Sequence, residues 1–409
     1  MGFRRAAAAV STLLALAGAT GTRAAPPAPE PWVGAWEAPP AFPTGPEING
    51  ETVRQVMRVS LGGDAVRVRI SNEMGTSPLV IGGAHLARPG PAPGSIDPNS
   101  DHPLTFDGRT TVTVPPGAPV LSDPVAMDVK ALDSLAVSLF VARDIGPTAT
   151  HPLGQATAFI AKNGDRTGAD TLPDAERSDQ RFFVSGLAVR HAGAGTVVCL
   201  GDSITDGYGS TPDANRRWPD ALAERLAASG IPLAVADAGI SGNRVLHDLP
   251  EAQFGPAALA RFDRDVLAVP GVRTVIVMEG INDIGHPTSA GLPEQAVTAA
   301  DIEAGLRQLV DRARAHGLRV LGATLTPFAD TVFPGYFSAA GEAKRVAVND
   351  WIRHGGAFDA VIDFDAALRD PAHPDHIAPQ YDHGDHLHPN DAGYRRMADT
   401  VDLASLGAP

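Results

Sequence analysis

The sequence lacks three features that would each indicate a particular class of protein. It has one cysteine, Cys199, so no intramolecular disulfide can form and stability must come from packed cores. Its formal net charge is −14, which argues against nucleic acid or an anionic membrane surface as a partner. No apolar run reaches the ~20 residues that span a bilayer. What is present is an ordinary globular composition, 44% apolar and 20% charged, in 409 residues, enough for two domains.

The first residues have the pattern of an export signal. Arg4 and Arg5 precede the apolar run 6–17, and Thr22 and Ala24 are small residues at the positions that a signal peptidase reads. We therefore expect a cleaved signal peptide at residues 1–24 and a secreted or periplasmic protein. An uncleaved anchor is the alternative, which the short apolar run disfavours.

Residues 25–190 show the two-residue period of β-strands. Apolar and polar residues alternate along 66–71, 110–114 and 135–141, which places the apolar side chains on one face. The glycine pair within GGD at 62–64 lies between the segment 57–61 and the run 66–71 and predicts a β-hairpin. No helical period of useful length occurs here. The region is therefore predicted to be an all-β, sandwich-like accessory domain.

From residue 191 to residue 409 short apolar runs alternate with helical stretches. The predicted strands are Thr196–Leu200, Leu233–Ala236, Thr274–Met278, Arg319–Thr324 and Ala360–Asp363. The predicted helices are Trp218–Ala228, Ala300–His316, Ala339–His354 and Asp391–Thr400. This alternation predicts an α/β domain whose parallel sheet is covered on both faces. Ligands on such sheets bind at the carboxyl ends of the strands.

The stretch GDSITDG at 201–207 follows the first predicted strand of this α/β region. A serine at a strand-to-helix turn exposes its hydroxyl and lies among backbone N–H groups that can stabilise an oxyanion. Ser203 is therefore a candidate nucleophile. Taken alone, it is also consistent with a helix cap.

Three further segments supply what a serine nucleophile needs. DAGISGN at 237–243 and EGIND at 279–283 follow the second and third predicted strands, and GDHLHP at 384–389 lies near the C-terminus. Nucleophilic catalysis by serine needs a base, a carboxylate that orients the base, and oxyanion donors. The four segments together contain all of these residue types.

These four segments, in this order, resemble the sequence blocks of the SGNH-hydrolase family, also called GDSL esterases. The resemblance covers about residues 194–400 and implies a flavodoxin-like three-layer parallel sheet. It implies that Ser203 is the nucleophile, His388 the general base and Asp385 the carboxylate that orients the base. It also implies an oxyanion hole made of the Ser203 N–H, the Gly242 N–H and the Asn282 side chain. No cofactor follows from the resemblance.

The segment 373–388 is rich in histidine and aspartate, which are good zinc ligands. Prolines keep the segment in loops, and the spacing is not that of a compact two-histidine helix motif. We therefore predict no metal. The histidines concerned are His373, His376, His383, His386 and His388.

The sequence therefore predicts a secreted serine esterase that acts on short acyl esters, above all acetyl, of a small molecule or a polysaccharide. A lipase or thioesterase for longer acyl chains is an alternative, disfavoured by an aromatic content of 5% and the lack of an apolar lid segment. A non-catalytic carbohydrate-binding protein is a second alternative, disfavoured by the complete set of blocks. We expect the β-rich domain to shape the acyl-acceptor side of the site. No membrane span or nucleic-acid partner is expected, and no feature indicates an oligomeric state.

Overall fold

The computed structural model describes Gly2 and residues 31–162, 164–248 and 251–407. The predicted signal peptide, apart from Gly2, lies outside the described residues. Within the described part of the chain, no helix is both long and apolar enough to cross a bilayer.

The N-terminal region consists of antiparallel strands in two main sheets. Its strands are β1 (Trp32–Glu37), β2 (Glu51–Arg58), β3 (Gly63–Asn72), β4 (Leu79–Ala87), β5 (His102–Pro103), β6 (Val112–Val114), β7 (Ala118–Leu121), β8 (Val125–Val129), β9 (Ser134–Arg143), β10 (Thr150–His151), β11 (Ala158–Ala161), β12 (Glu176–Ser178), β13 (Arg181–Phe182) and β14 (Val184–Arg190). One sheet has the order β1-β14-β3-β7, with β8 also paired to β3. The other has the order β12-β11-β2-β9-β4-β5, with β6 also paired to β4. The short strands β10 and β13 pair with each other.

The predicted alternation explains how the two sheets pack together. Val66, Val68 and Ile70 of β3 are fully buried, whereas Arg67 and Arg69 between them are only partly buried. The apolar faces of both sheets contribute to one hydrophobic core. Burying each such aliphatic side chain contributes roughly 1.5–3 kcal/mol to folding. The expectation of a sandwich-like all-β region is confirmed.

The prediction of a β-hairpin at residues 62–64 is wrong. The strands on either side, β2 and β3, belong to different sheets, and β3 pairs with β14, β7 and β8 instead. A Cβ on Gly62 would lie 2.3 Å from the carbonyl oxygen of Val129, and one on Gly63 would lie 2.4 Å from that of Arg190. The two glycines therefore allow the chain to pass close to other strands as it crosses between sheets, rather than forming a tight turn.

The C-terminal region is a five-stranded parallel sheet with helices on both faces. Its strands are β15 (Gly195–Gly201), β16 (Leu233–Gly239), β17 (Val272–Met278), β18 (Arg319–Ala323) and β19 (Ala360–Ile362). Its helices are α1 (Ser203–Asp206), α2 (Trp218–Ala228), α3 (Ala258–Phe262), α4 (Ile281–Ser289), α5 (Ala299–Ala315), α6 (Ala339–His354), α7 (Phe364–Leu368) and α8 (Asp391–Thr400). The strand order is β16-β15-β17-β18-β19, the flavodoxin-like order, so the predicted fold class is confirmed.

Alternate residues of the central strand face opposite layers. Val198 and Leu200 of β15 belong to the core that packs against α3, α5 and α6. Val197 and Cys199 belong to the core that packs against α2, α7 and α8. Gly201 at the end of β15 is paired with the last residues of β16 and β17, so the three strands end together. Their following loops therefore meet at one edge of the sheet.

The N-terminal and C-terminal regions contact each other directly. The hydroxyl of Ser60 donates to the carbonyl oxygen of Val235 and accepts from its N–H, both at 2.8 Å. The N–H of Gly34 donates to the carbonyl oxygen of Pro270 at 2.8 Å. Residues from Pro31 onward form one compact unit. The proposed division into domains at residues 190 and 191 stays a prediction.

Candidate active site

The turn that carries the candidate nucleophile, Ser203, lies directly after the central strand β15. Ser203 is the first residue of α1, and its side chain is almost completely buried. The helix is capped by Asp202, whose carboxylate accepts the N–H of Ile204 at 2.9 Å. Ser203 is therefore not the helix cap, which was the alternative reading of this residue.

Ser203, His388 and Asp385 form one hydrogen-bonded chain. The Ser203 Oγ lies 2.8 Å from Nε2 of His388, and Nδ1 of His388 lies 2.7 Å from Oδ2 of Asp385. The second oxygen of Asp385 accepts the N–H groups of Leu387 and His388 at 3.0 and 2.8 Å. Asp385 can only accept from Nδ1 at neutral pH, so the proton lies on Nδ1 and Nε2 is free to accept from the serine.

The carboxylate of Asp385 is held in its ionised form. Burial alone would raise its pKa, but the hydrogen bond and charge of His388, with the two backbone N–H groups, outweigh burial and lower the pKa to about 2. The ring of His388 also packs against Tyr208, with ring centroids 4.3 Å apart. The hydrogen bond from Nδ1 to Asp385 and the packing against Tyr208 therefore together hold the imidazole ring in place.

Asn282 is the second residue of α4, and its amide is oriented by two hydrogen bonds. Its Nδ2 donates to the carbonyl oxygen of Asn243 at 2.8 Å, and its Oδ1 accepts from the hydroxyl of Tyr336 at 2.7 Å. Both partners are buried. The bond from Tyr336 requires an acceptor, so it fixes which end of the amide carries the NH₂ group. In the described part of the chain Nδ2 bonds only Asn243, and Asn282 lines the pocket described below, so its second N–H is available to a ligand there.

The backbone around Gly242 permits only glycine. Its φ is +79°, in the left-handed region, and a Cβ would lie 2.0 Å from the ring of Phe254. The preceding residue, Ser241, donates its N–H to Oδ2 of Asp206 at 2.9 Å. Gly242 therefore lies in a loop that is tied to the nucleophile helix α1.

A buried arginine holds the strand ends together beneath the site. Arg261 donates from Nη2 to the carbonyl oxygen of Gly201 at 2.9 Å and from Nη1 to that of Ala238 at 2.7 Å. Its Nε donates to Oδ1 of Asn243 at 2.8 Å. Its side chain forms an ion pair with Asp265 at 3.2 Å. This one side chain thus fixes the loops that carry the nucleophile and Gly242.

Acidic side chains lie buried in the same layer. Burial raises the pKa of Glu279 well above its ordinary value, and the charge of the neighbouring Asp202 raises this pKa further. Burial also raises the pKa of Asp202 to about 7 and that of Asp283 to about 6. Asp283 accepts the N–H of Val245 at 2.7 Å, so it anchors the loop after β16. Asp202 thus caps the helix that begins with Ser203, Asp283 anchors the Gly242 loop, and Glu279 lies 3.8 Å from Arg261.

A pocket of about 490 Å³ opens at this edge of the sheet. Ser203, Gly242, Asn282 and His388 all line it. Most of the remaining wall is apolar, formed by Pro152, Leu153, Phe254, Phe333, Pro334 and Leu387. A concave, largely apolar pocket with a few convergent polar groups is the usual form of a small-molecule site. Pro152 and Leu153 come from the N-terminal region.

The histidine-rich segment 373–388 is divided among separate partners. His376 bonds Asp375 and Asp330, and His386 bonds Asp382. Within the described residues, no group of three or more His, Cys, Asp or Glu side chains is arranged to hold a metal ion. The sole cysteine, Cys199, is buried, and burial raises the pKa of its thiol well above its ordinary value.

The structure brings the five residues singled out from the sequence, Ser203, Gly242, Asn282, Asp385 and His388, to one pocket or its immediate support. Sequence reasoning missed Tyr336, which orients the amide of Asn282, and Arg261, which holds the loops of Ser203 and Gly242. Neither residue lies in one of the four blocks, and each bonds residues that are distant in sequence. The burial of Arg261 identifies it as a structural residue, but burial is known only from the fold and cannot be read from the sequence.

Comparison with known proteins gives one match to a family model. Residues 199–396 match the GDSL-like Lipase/Acylhydrolase family. No curated protein matches the chain.

Several solved structures are similar to part of the chain. A carbohydrate acetylesterase family member from Sinorhizobium meliloti is 20% identical, with 52% of this chain and 99% of that one covered and a TM-score of 0.42. An aryl esterase of M. smegmatis is 21% identical, with 50% and 95% covered and a TM-score of 0.40. A GDSL-like lipase from Bacteroides thetaiotaomicron is 20% identical, with 51% and 87% covered and a TM-score of 0.38. At these values the similarities carry no argument about activity.

Proposed function

Because residues 199–396 belong to the GDSL-like lipase/acylhydrolase family, we propose that this protein is a serine esterase that hydrolyses carboxylic esters through an acyl-enzyme on Ser203. The observation that carries the proposal is the hydrogen-bonded chain from the Ser203 Oγ through His388 to Asp385, with links of 2.8 and 2.7 Å. A serine hydroxyl is a weak nucleophile at its ordinary pKa, so it needs a base within hydrogen-bond reach.

In the first half of the reaction, Nε2 of His388 takes the proton of Ser203 as the Oγ attacks the ester carbonyl carbon. The carbonyl π electrons move to the oxygen, and a tetrahedral oxyanion forms. The imidazolium that results is stabilised by the ionised Asp385. When the C–O bond to the alcohol breaks, His388 gives its proton to the leaving alkoxide, and the acyl group stays on Ser203.

In the second half, His388 takes a proton from water as the water oxygen attacks the acyl-enzyme. The second tetrahedral intermediate then collapses, the C–O bond to Ser203 breaks, and His388 returns the proton to the serine. In both halves we assign the oxyanion to the N–H groups of Ser203 and Gly242 and to the free N–H of Asn282. Donors that are already oriented before the charge develops are worth roughly 2.7–4 kcal/mol each in other hydrolases.

For the substrate we propose short acyl esters, with acetyl esters of small molecules or carbohydrates first. The aromatic content of 5% and the absence of an apolar lid segment in the sequence support this class over long-chain lipids. We also propose that residues 1–24 are removed on export, so that the protein acts outside the cytoplasm. Mass spectrometry of the exported protein would then find Ala25 at its N-terminus.

One observation favours a second candidate, an esterase for bulkier apolar esters. The pocket of about 490 Å³ lies within the range of ~300–1,000 Å³ that holds drug-sized ligands, and its walls are mostly apolar. Such a pocket can take a medium-length acyl chain or an aromatic alcohol.

The test is hydrolysis of the 4-nitrophenyl ester series from acetate to palmitate and of acetylated glycans, with Ser203→Ala as the control. We expect hydrolysis that Ser203→Ala lowers by about 10⁴-fold or more. A maximum at acetate supports the short-acyl proposal, and a maximum at hexanoate or longer supports the second candidate. Absence of any hydrolysis would refute both and leave a binding protein, whereas full activity in Ser203→Ala would refute the acyl-enzyme on Ser203.

A further inference from the structure

A segment of the N-terminal region crosses the nucleophile turn. This segment, residues 150–157, is called the strap below. The strap's Gln155 donates from Nε2 to the carbonyl oxygen of Gly207 at 2.9 Å. Its Thr157 donates from its N–H and its hydroxyl to the carboxylate of Asp213 at 2.6 and 2.7 Å. The strap is therefore bonded to the chain that leaves the nucleophile helix α1.

His151 is the buried centre of the strap. Its Nδ1 lies 3.0 Å from the carbonyl oxygen of Pro39, and its Nε2 lies 3.1 Å from the carbonyl oxygen of Leu153 and 2.9 Å from Oδ1 of Asp206. All three partners are acceptors, so both ring nitrogens carry a proton and the ring is a cation. Burial alone would lower the pKa of His151, but the carboxylate of Asp206 raises it above its ordinary value.

Asp206 joins His151 to the loop of Gly242. Its Oδ1 faces His151, and its Oδ2 accepts the N–H of Ser241, the residue before Gly242, at 2.9 Å. Asp206 is also the last residue of α1, three positions after Ser203. Its side chain is only 2% exposed, so a carboxylate that lost the N–H of His151 would keep a buried Oδ1 without that hydrogen bond, which is costly in a buried site. A displaced Asp206 would release Ser241.

We propose that His151 is a positioning residue of the esterase site, which holds the Gly242 loop in place through Asp206, and that the adjoining Pro152 and Leu153 form one wall of the substrate pocket. The proposal rests on the proposed function. His151 acts through Asp206 and does not touch the substrate. The N-terminal region, which lies outside the family match at 199–396, thus contributes to both the chemistry and the shape of the site.

The test compares two substitutions of His151, each of which keeps a hydrogen-bond donor near the position of one of the two ring nitrogens. His151→Gln keeps a donor near the position of Nε2, which reaches Asp206. His151→Asn keeps a donor near the position of Nδ1, which reaches Pro39 but not Asp206. Both remove the positive charge, so a merely structural role would lower activity in both alike. We expect His151→Asn to lower kcat about 10-fold or more at a KM within about 3-fold, and His151→Gln to keep kcat within about 3-fold.

A second readout does not depend on activity. Hydrogen exchange of a peptide covering 240–243 should be faster in His151→Asn than in His151→Gln, because only the former releases the N–H of Ser241. Gln155→Ala is the matched control within the strap. It removes the bond to Gly207 and leaves His151 and Asp206 joined, so kcat and exchange at 240–243 should stay unchanged.

Equal kcat and equal exchange in the Asn and Gln variants would overturn the proposal. If His151→Asn does not fold, the pair His151→Ala with Asp206→Ala removes both buried charges together and still frees Ser241. That double variant should show the same loss of kcat and the same faster exchange, and wild-type values would overturn the proposal. If the wild type hydrolyses no ester, the proposed function fails and the exchange measurements alone decide the role of His151.

Discussion

The two regions of this molecule contribute to one pocket in different ways. The α/β region places Ser203, Asn282 and His388 at loops that follow strands or end the chain, where parallel topology collects them at one edge. The β-rich region contributes no such block. Its strap supplies a wall and a buried cation, and both act on shape and position. The proposed reacting groups thus all lie in the α/β region, whereas the β-rich region contributes a wall of the pocket and the residue that we propose to position the Gly242 loop.

Among the substitutions that test this comparison, we expect the largest loss of kcat at Asn282, the proposed oxyanion donor of the α/β region. Asn282→Ala should lower kcat about 10²-fold or more, because one donor contributes roughly 2.7–4 kcal/mol to the transition state. Tyr336→Phe is the companion variant. It keeps the amide and removes one of the two hydrogen bonds that orient it, so we expect a smaller loss of about 10-fold. Steady-state kinetics on one short ester measure both. A near-unchanged kcat in Asn282→Ala would remove Asn282 from the oxyanion hole.

A smaller effect, on KM rather than kcat, is expected at the pocket wall that the β-rich region contributes. Leu153→Ala removes part of the apolar wall of the pocket, and losing about 1 kcal/mol of apolar contact should raise KM about 5-fold for an ester with a bulky apolar group. The same variant should leave kcat for the acetate ester unchanged. A loss of kcat on acetate without a change in KM would show that the two contributions do not divide between the regions in this way.

The smallest effect, no change at all, is expected at Cys199. Its thiol is buried in the core beside α2, and burial raises its pKa, so it holds little thiolate at neutral pH. Iodoacetamide should therefore leave activity unchanged in the native protein. Time-dependent inactivation that Cys199→Ala abolishes would show that this core opens.

Much of the α/β region could be predicted from the sequence because its signals are local. The helices 218–228, 339–354 and 391–400 were predicted with the bounds that the structure has. The helix at 299–315 begins one residue earlier than predicted, because Thr298 caps it together with Asp301. The four blocks lie at strand ends or in the last loop, so topology alone brings them together.

The rest could not be predicted because it depends on contacts between distant residues. The glycines at 62–63 have the composition of a hairpin, and only the close approach of β8 and β14 shows that they serve a crossing between sheets. His151 and Asp206 are 55 positions apart, and Tyr336 and Asn282 are 54 apart. A lone histidine or tyrosine outside the four blocks gives no sign of which distant group it will contact.

The order of the active groups along the chain has a consequence for biosynthesis. Ser203 and His388 are 185 positions apart, so a ribosome completes the proposed nucleophile and its turn long before it adds the proposed base. The strap, at 150–157, is made earlier still. A growing polypeptide therefore carries Ser203 without its hydrogen-bond partner until His388 has been translated. Under the proposed function, hydrolytic capacity would appear only after that point, which would spare the cell's own esters while the chain is still being synthesised.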